Sequence, residues 1–171
     1  MIKRLKRKNI RAKTERNIRS RDLSKINEPL TRLGFLVDES DFIDFEELYE
    51  FSSLLNIQRK DVKIFSFLET KMKLPSLRQN QVYHKDFSWK GEIISKNALE
   101  FLEFPFDVLI GYYGSSNEFL DLMVSASNAK FKVGLANADA RLFDLIIKID
   151  INDLEKFKFE LKKFLRILNK I

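Results

Sequence analysis

The succession of apolar and polar positions divides the chain into short elements. Leu33-Gly34-Phe35-Leu36-Val37 is an apolar run without a helical period, as expected of a strand buried on both faces. Asp38-Glu39-Ser40-Asp41 follows and supplies an N-cap and negative charge for a helix start. Phe42, Phe45, Leu48, Tyr49, Ser52 and Leu55 then keep a helical spacing as far as Asn56. Val62-Lys63-Ile64-Phe65-Ser66-Phe67 alternates and predicts a second strand, completing a β-α-β unit. Residues 70–92 read as a long irregular excursion, with Pro75 early and Gly91 near its end. A short helix from Asn97 to Phe104 stops before Pro105.

Phe106-Asp107-Val108-Leu109-Ile110 predicts the third strand, which leads through Gly111 and Gly114-Ser115-Ser116 into a helix with Leu120, Met123, Val124 and Ser127 on one side. Lys130-Phe131-Lys132-Val133-Gly134 alternates as a fourth strand, and residues 142–149 give a fifth. The connection between these two, about residues 135–141, is too short for a helical crossover. They are therefore antiparallel neighbours, or the loop jumps without a helix. In the last helix Leu154, Phe157, Leu161, Phe164, Leu168 and Ile171 step along one face, with Asp150 or Asn152 as cap. Fewer than three heptads favour packing on the chain's own sheet over a coiled coil.

The expected fold is α/β: a three-layer, mostly parallel sheet of about five strands, Rossmann- or flavodoxin-like, with an amphipathic C-terminal helix. Residues 29–171 form a single domain and residues 1–28 a basic N-terminal helical arm. Glu15–Arg19 is a well-placed i,i+4 pair in a helix over residues 3–26, but Lys3, Arg4, Lys6, Arg7 and Lys8 surround its first turns and should fray them by repulsion. Asn27-Glu28-Pro29 closes the arm.

Charge sharpens this division. The net charge of +6 conceals two unlike parts: residues 1–26 hold eleven Lys and Arg against Glu15 and Asp22, whereas the remainder holds twenty basic and twenty-three acidic residues. Such an imbalance points to a polyanionic partner. Ile2, Leu5, Ile10 and Ile18 stand isolated among charges, which excludes a secretory signal and leaves the cytoplasm as the expected compartment. With 44% hydrophobic residues the chain can build a core without staples. The absence of cysteine excludes a disulfide scaffold, a thiolate metal site and a cysteine nucleophile, and a single histidine excludes multi-histidine zinc sites.

Candidate chemistry is sparse. Gly111-Tyr112-Tyr113-Gly114-Ser115-Ser116-Asn117 runs from a strand into a helix, where free N–H groups receive anions; Gly111, Gly114, Ser115, Ser116 and Asn117 are the candidate ligand loop. It lacks both the G-x-G-x-x-G spacing and a P-loop lysine, and reads equally as a turn with Ser116 or Asn117 as N-cap. The carboxylates of Asp38, Glu39, Asp41 and Asp44 read as helix-start acids rather than a magnesium site. His84 beside Asp86 reads as a packing histidine. Tyr83, His84 and Trp89, interleaved with Arg78, Lys85 and Lys90, form a candidate aromatic patch for stacked bases or a cover for the sheet edge. No metal, cofactor or catalytic residue is implied.

Phe87-Ser88-Trp89-Lys90-Gly91, Phe106-Asp107-Val108-Leu109-Ile110, Ser127-Asn128-Ala129-Lys130-Phe131-Lys132-Val133-Gly134 and Leu142-Phe143-Asp144-Leu145-Ile146-Ile147 resemble a family of small, uncharacterised bacterial α/β proteins. The resemblance covers about residues 30–150, implies a compact α/β domain and brings no catalytic residue with it. A more distant likeness, carried by Ala129-Lys130 to Gly134, is to the N-terminal half of heptosyltransferase-like glycosyltransferases. It implies at most a relic without the nucleotide-sugar half.

Three functional readings follow. The first is a non-catalytic binding protein whose Lys3, Arg4, Lys6, Arg7, Lys8, Arg11, Arg16, Arg19 and Arg21 engage RNA, plausibly on the ribosome, with the body as docking platform. The second is a domain, or degenerate enzyme, that binds phosphate, a nucleotide or a sugar phosphate at the strand ends. The third is attachment to an anionic membrane surface, the least favoured because the arm has no well-formed apolar face. Oligomeric state is not legible.

Overall fold

Strand β1 (Leu33–Asp38) occupies the middle of the molecule, and all six of its residues are buried, as an apolar run without alternation requires. It pairs in parallel with β2 (Val62–Phe67) on one side and β4 (Val108–Tyr112) on the other. The computed structural model describes residues 1–42, 44–69 and 78–171. Outward from this centre lie β3 (Gln81–Val82) beside β2, and β5 (Phe131–Leu135) then β6 (Leu145–Ile147) beside β4. All pairs are parallel and the order is β3-β2-β1-β4-β5-β6. This is the doubly wound arrangement, with its reversal of strand order between β1 and β4.

The expected α/β class holds, with six strands among the described residues rather than about five. The additional one, β3, arises inside the excursion, where the two residues Gln81 and Val82 extend the sheet beside Ser66 and Phe67. Pro75 and the rest of residues 70–77 lie outside the described residues, as does Ile43.

Helices cover both faces. On one, α2 (Phe45–Leu54) and α5 (Leu154–Ile167) bury Leu48, Phe51, Phe157, Leu161 and Leu165 against Leu33, Phe35 and Val37. On the other, α3 (Lys96–Glu103) and α4 (Glu118–Ala126) bury Phe101, Leu102, Leu120 and Met123 against Leu36, Phe65 and Leu109. Side-chain caps fix four starts: Asp44, Ser95, Asn117 and Asp153 each accept a backbone N–H of the first turn. Helix α2 thus begins at Phe45 rather than Phe42, whose ring packs edge-on against Tyr112. The cap of α5 is Asp153, because Asp150 is engaged by the N–H of Asn152. The buried stripe of α5 follows a 3.6-residue period through Leu165, which turns Leu168 and Ile171 outward; this is a helix packed on its own sheet.

The β5–β6 connection, residues 136–144, returns the chain to the parallel direction without a crossover helix, the second of the two expected alternatives. Bare backbone makes this close return feasible. The ring of Phe143 lies over Gly134, where a Cβ would come within 2.6–2.7 Å of it, and beside Gly111, where a Cβ would lie 3.0 Å away. A flat ring fits where a helix would not.

Helix α1 (Ile2–Arg19) is regular from Ile2 and ends at Arg19, so the first turns are not frayed and residues 20–26 are not helical. The reason is docking. Ile10 is fully buried in the core shared with α3 and α4, Asn17 Nδ2 donates to Ser125 Oγ at 3.0 Å, and Asn9 Nδ2 donates to the Trp89 carbonyl at 2.9 Å. Gly91, at φ 80°, brings its backbone so close to α1 that a Cβ would lie 2.8 Å from the Asn9 carbonyl carbon. Both the left-handed backbone and the lack of space disfavour any side chain there. Gly91→Ala is expected to lower stability by about 2 kcal/mol, read from urea unfolding, and to expose α1 to limited proteolysis before the rest of the chain.

Candidate functional site

Docking sorts the cations of α1 into two sets. The inward set is engaged by the molecule itself. Lys6 donates to the His84 carbonyl, and burial lowers its pKa, opposed by the nearby carboxylates of Glu69 and Asp86. Arg7 and Arg11 hold the two oxygens of Glu118 through their Nε atoms, at 2.8 and 3.2 Å. Arg21, beyond the helix, forks onto Asp144 at 2.9 and 2.7 Å. The outward set comprises Lys3, Arg4, Lys8, Arg16 and Arg19, all exposed, with no carboxylate partner among the described residues.

Helical spacing puts positions 4, 8, 15 and 19 on one stripe, flanked by Arg16, while Arg11 at its edge is turned to Glu118. Its single acid, Glu15, is gripped by Arg141 at 2.7 and 3.1 Å, and Arg141 also holds Asp139 at 2.7 Å. The result is a straight cationic ridge from Arg4 to Arg19, about 22 Å long at the helical rise, fixed to a folded body.

The second region lies where strand order reverses. The two loops expected there, after β1 and after β4, do meet: Asn117 Nδ2 donates to Asp38 Oδ2 at 2.9 Å and the Gly114 N–H donates to Asp41 Oδ2 at 2.9 Å. They satisfy each other's polar groups. Asp38 also accepts from the N–H and hydroxyl of Ser40, and Asn117 caps α4 by accepting from the Phe119 and Leu120 N–H groups. Above them is a crevice of about 650 Å³. Asp38 and Phe67 form its floor, Ser116 to Asp121 one wall, and residues 137–141 the other, while Arg7, Arg11, Thr14 and Glu15 of α1 form the roof. Burial pushes the Asp121 carboxyl up to about 6; Asp139 and Glu118 add to the rise and the Tyr113 hydroxyl, donating at 2.8 Å, opposes it. Gly111 lies under Phe143 instead of facing the crevice, and Ser115 and Ser116 are exposed at its mouth.

The candidate aromatic patch is divided. Phe87 is buried against Phe119 at 4.8 Å, Tyr83 and His84 are half-buried and edge-on to each other at 5.6 Å, and Trp89 is 53% exposed. His84 Nδ1 lies 2.9 Å from Glu69 Oε1. This segment mainly seats α1 on the sheet. Reading along the chain missed Glu118 and Arg141, which select the cations that remain outward; nothing local marks either residue, since each acts only through its position opposite α1.

Among the described residues no helix is long and apolar enough to cross a membrane. In comparison with known proteins, the model of a family of unknown function, DUF6913, matches residues 6–168. No curated protein and no solved structure matches the chain.

Proposed function

Because the chain belongs to DUF6913, a family of unknown function, we propose its role from its own surface: it is a non-catalytic binding protein that engages single-stranded RNA through the outward ridge of α1, with the α/β body as docking platform. The observation that supports this reading is the sorting of charge on α1. The inward arginines are engaged by Glu118 and Asp144, whereas Arg4, Lys8, Arg16 and Arg19 face solvent without a carboxylate partner among the described residues. A helix already fixed to a core presents these charges without a folding step at binding, so little ordering entropy opposes association.

Affinity should come from counterion release. With about five phosphate contacts to a single strand, log K falls with log salt at a slope near −3.5, roughly a hundredfold between about 50 and 200 mM. The test is fluorescence-anisotropy binding of the full chain to a labelled single-stranded RNA across that range. The combined substitution Arg4→Gln, Lys8→Gln, Arg16→Gln and Arg19→Gln should flatten the slope to about −0.7 and leave the melting temperature unchanged, because all four side chains are exposed. Binding indifferent to salt, or unaltered in the quadruple variant, removes the proposal. So does a chain that sediments with anionic vesicles yet ignores RNA.

A further inference from the structure

Among the described residues two aromatic side chains are exposed, and they stand on opposite faces of the sheet: Phe159 on α5, and Trp89, 53% exposed, beside α1. Trp89 lies at the tip of a tight hairpin. Phe87 and Ile93 pair as an antiparallel bridge, and the Ser88 N–H donates to the Glu92 carbonyl at 2.8 Å. The turn over residues 88–91 is closed by the Gly91 N–H, which donates to the Ser88 carbonyl at 3.0 Å, and the Ser88 hydroxyl accepts from the Glu92 N–H at 3.1 Å. This hairpin is clamped to α1 by the close approach of Gly91 and by the Asn9 amide on the Trp89 carbonyl. The polar contact with α1 thus runs through the Trp89 backbone, and the indole is left half in solvent.

Asn9 follows Lys8 of the outward ridge, about 100° further round the helix. Its bond to the Trp89 carbonyl therefore fixes the indole along the flank of that ridge. Lys90 is exposed as well, with its ammonium 5.6 Å from the indole centroid and no carboxylate partner among the described residues. An open ring on rigid backbone beside fixed cations suits a single strand: the cations track phosphates while a base lies on the ring. A duplex keeps its bases stacked inside and offers none to the indole. The flanking Ser88 and Lys90 are polar and charged, which denies the tip an apolar face of its own for entering a lipid surface. Resting on the RNA-binding reading of the ridge, we propose that Trp89 is the base-stacking platform of the same interface, with Lys90 on the phosphate of the stacked nucleotide. The platform restricts the ligand to strands with unpaired bases.

Trp89 is the one tryptophan of the chain, so indole fluorescence reports on this position alone. The experiment titrates the full chain with oligouridylate and with inorganic polyphosphate, which offers phosphates without bases, and follows indole emission beside the anisotropy of a labelled strand. Oligouridylate should quench the indole; polyphosphate should displace the labelled strand and leave the emission unchanged. Trp89→Ala should weaken RNA binding about tenfold with the salt slope unaltered, since no phosphate contact is lost. Trp89→Phe, which keeps a ring, should stay within about threefold of the parent. Both variants should melt with the parent, because Asn9 holds the carbonyl and not the ring. Quenching by polyphosphate as strong as by RNA overturns the proposal and leaves the ridge reading standing, and so does a Trp89→Ala variant that binds as the parent does. A flattened salt slope in Trp89→Ala also overturns it, since the ring would then act by seating α1. Absence of RNA binding at any salt removes both readings. A brighter, blue-shifted indole on anionic vesicles with no response to RNA overturns the platform in favour of a lipid surface.

Discussion

Asp107→Ala is expected to cost about 4 kcal/mol of stability, the largest loss foreseen for a single substitution. Asp107 precedes β4 at the end of the sheet opposite the crevice and is 2% exposed. One carboxylate oxygen accepts from the N–H of Thr31, the hydroxyl of Thr31 and the N–H of Arg32, at 2.9, 2.6 and 2.8 Å. The other accepts from Lys130 Nζ at 2.7 Å. One side chain thereby joins the entries to β1, β4 and β5. Alanine would leave three donors facing a void and Lys130 with Glu28 as its remaining carboxylate. Burial raises the Asp107 pKa, but the hydrogen bonds from Lys130, Thr31 and Arg32 outweigh it and hold the carboxyl at about 2, below its ordinary 3.8.

A depressed carboxylate stabilises the fold above the unfolded value, and the contribution disappears as pH falls through the folded one. The parent should therefore lose about 2 kcal/mol between pH 4 and pH 2 on account of this residue, a loss absent from Asp107→Ala. Asp107→Asn keeps an acceptor for Thr31 and Arg32 but turns an amide toward Lys130, so its stability should fall between the two. Urea unfolding at pH 7, at pH 4 and at pH 2 reads both effects. A neutral Asp107→Ala would show that the strand entries hold without this junction.

Much of this architecture was legible in sequence because burial on both faces leaves a plain signature. The apolar runs at 33–37 and 106–110 became β1 and β4, and Pro105 ended α3 where expected. What escaped depends on tertiary proximity. Two residues, Gln81 and Val82, form β3 only because β2 offers a free edge. The parallel return to β6 depends on Phe143 meeting Gly134, a pairing no periodicity announces. The site divides in the same way. The excess of cations near the N-terminus and the two strand-end loops could be read from the chain, and the loops do meet. Which cations face outward could not be read, because Glu118 and Arg141 choose them from across the fold.

Lys132 shows where alternation misleads, and it gives the second large prediction. In Lys130-Phe131-Lys132-Val133 the pattern suggests a polar face, yet β5 is an interior strand with helices over both sides, and Lys132 is 1% exposed. Its ammonium donates to the Val124 carbonyl of α4 at 2.5 Å, near Arg21 and Asp144. Burial lowers its pKa to about 7, with Arg21 adding to the depression and Asp144 opposing it. For a lysine whose folded pKa lies below its unfolded 10.5, the penalty is full below the folded value and vanishes as pH rises past the unfolded one. Lys132 thus destabilises the fold by about 4 kcal/mol near pH 7. Lys132→Met keeps the length of the stem and removes the charge; the forfeited hydrogen bond is worth about 1 kcal/mol, and the Val124 carbonyl still accepts from the Ser127 N–H at 3.3 Å. The variant should gain about 3 kcal/mol at pH 7, a rise of roughly 6–12 °C in melting temperature, and the gain should shrink steadily toward pH 10.5. A variant less stable than the parent at pH 7, or a gain that persists unchanged at alkaline pH, would mean that the ammonium is held by its surroundings as a favourable charge. The alternation of the strand would then report a true polar face, one sealed between β5 and α4.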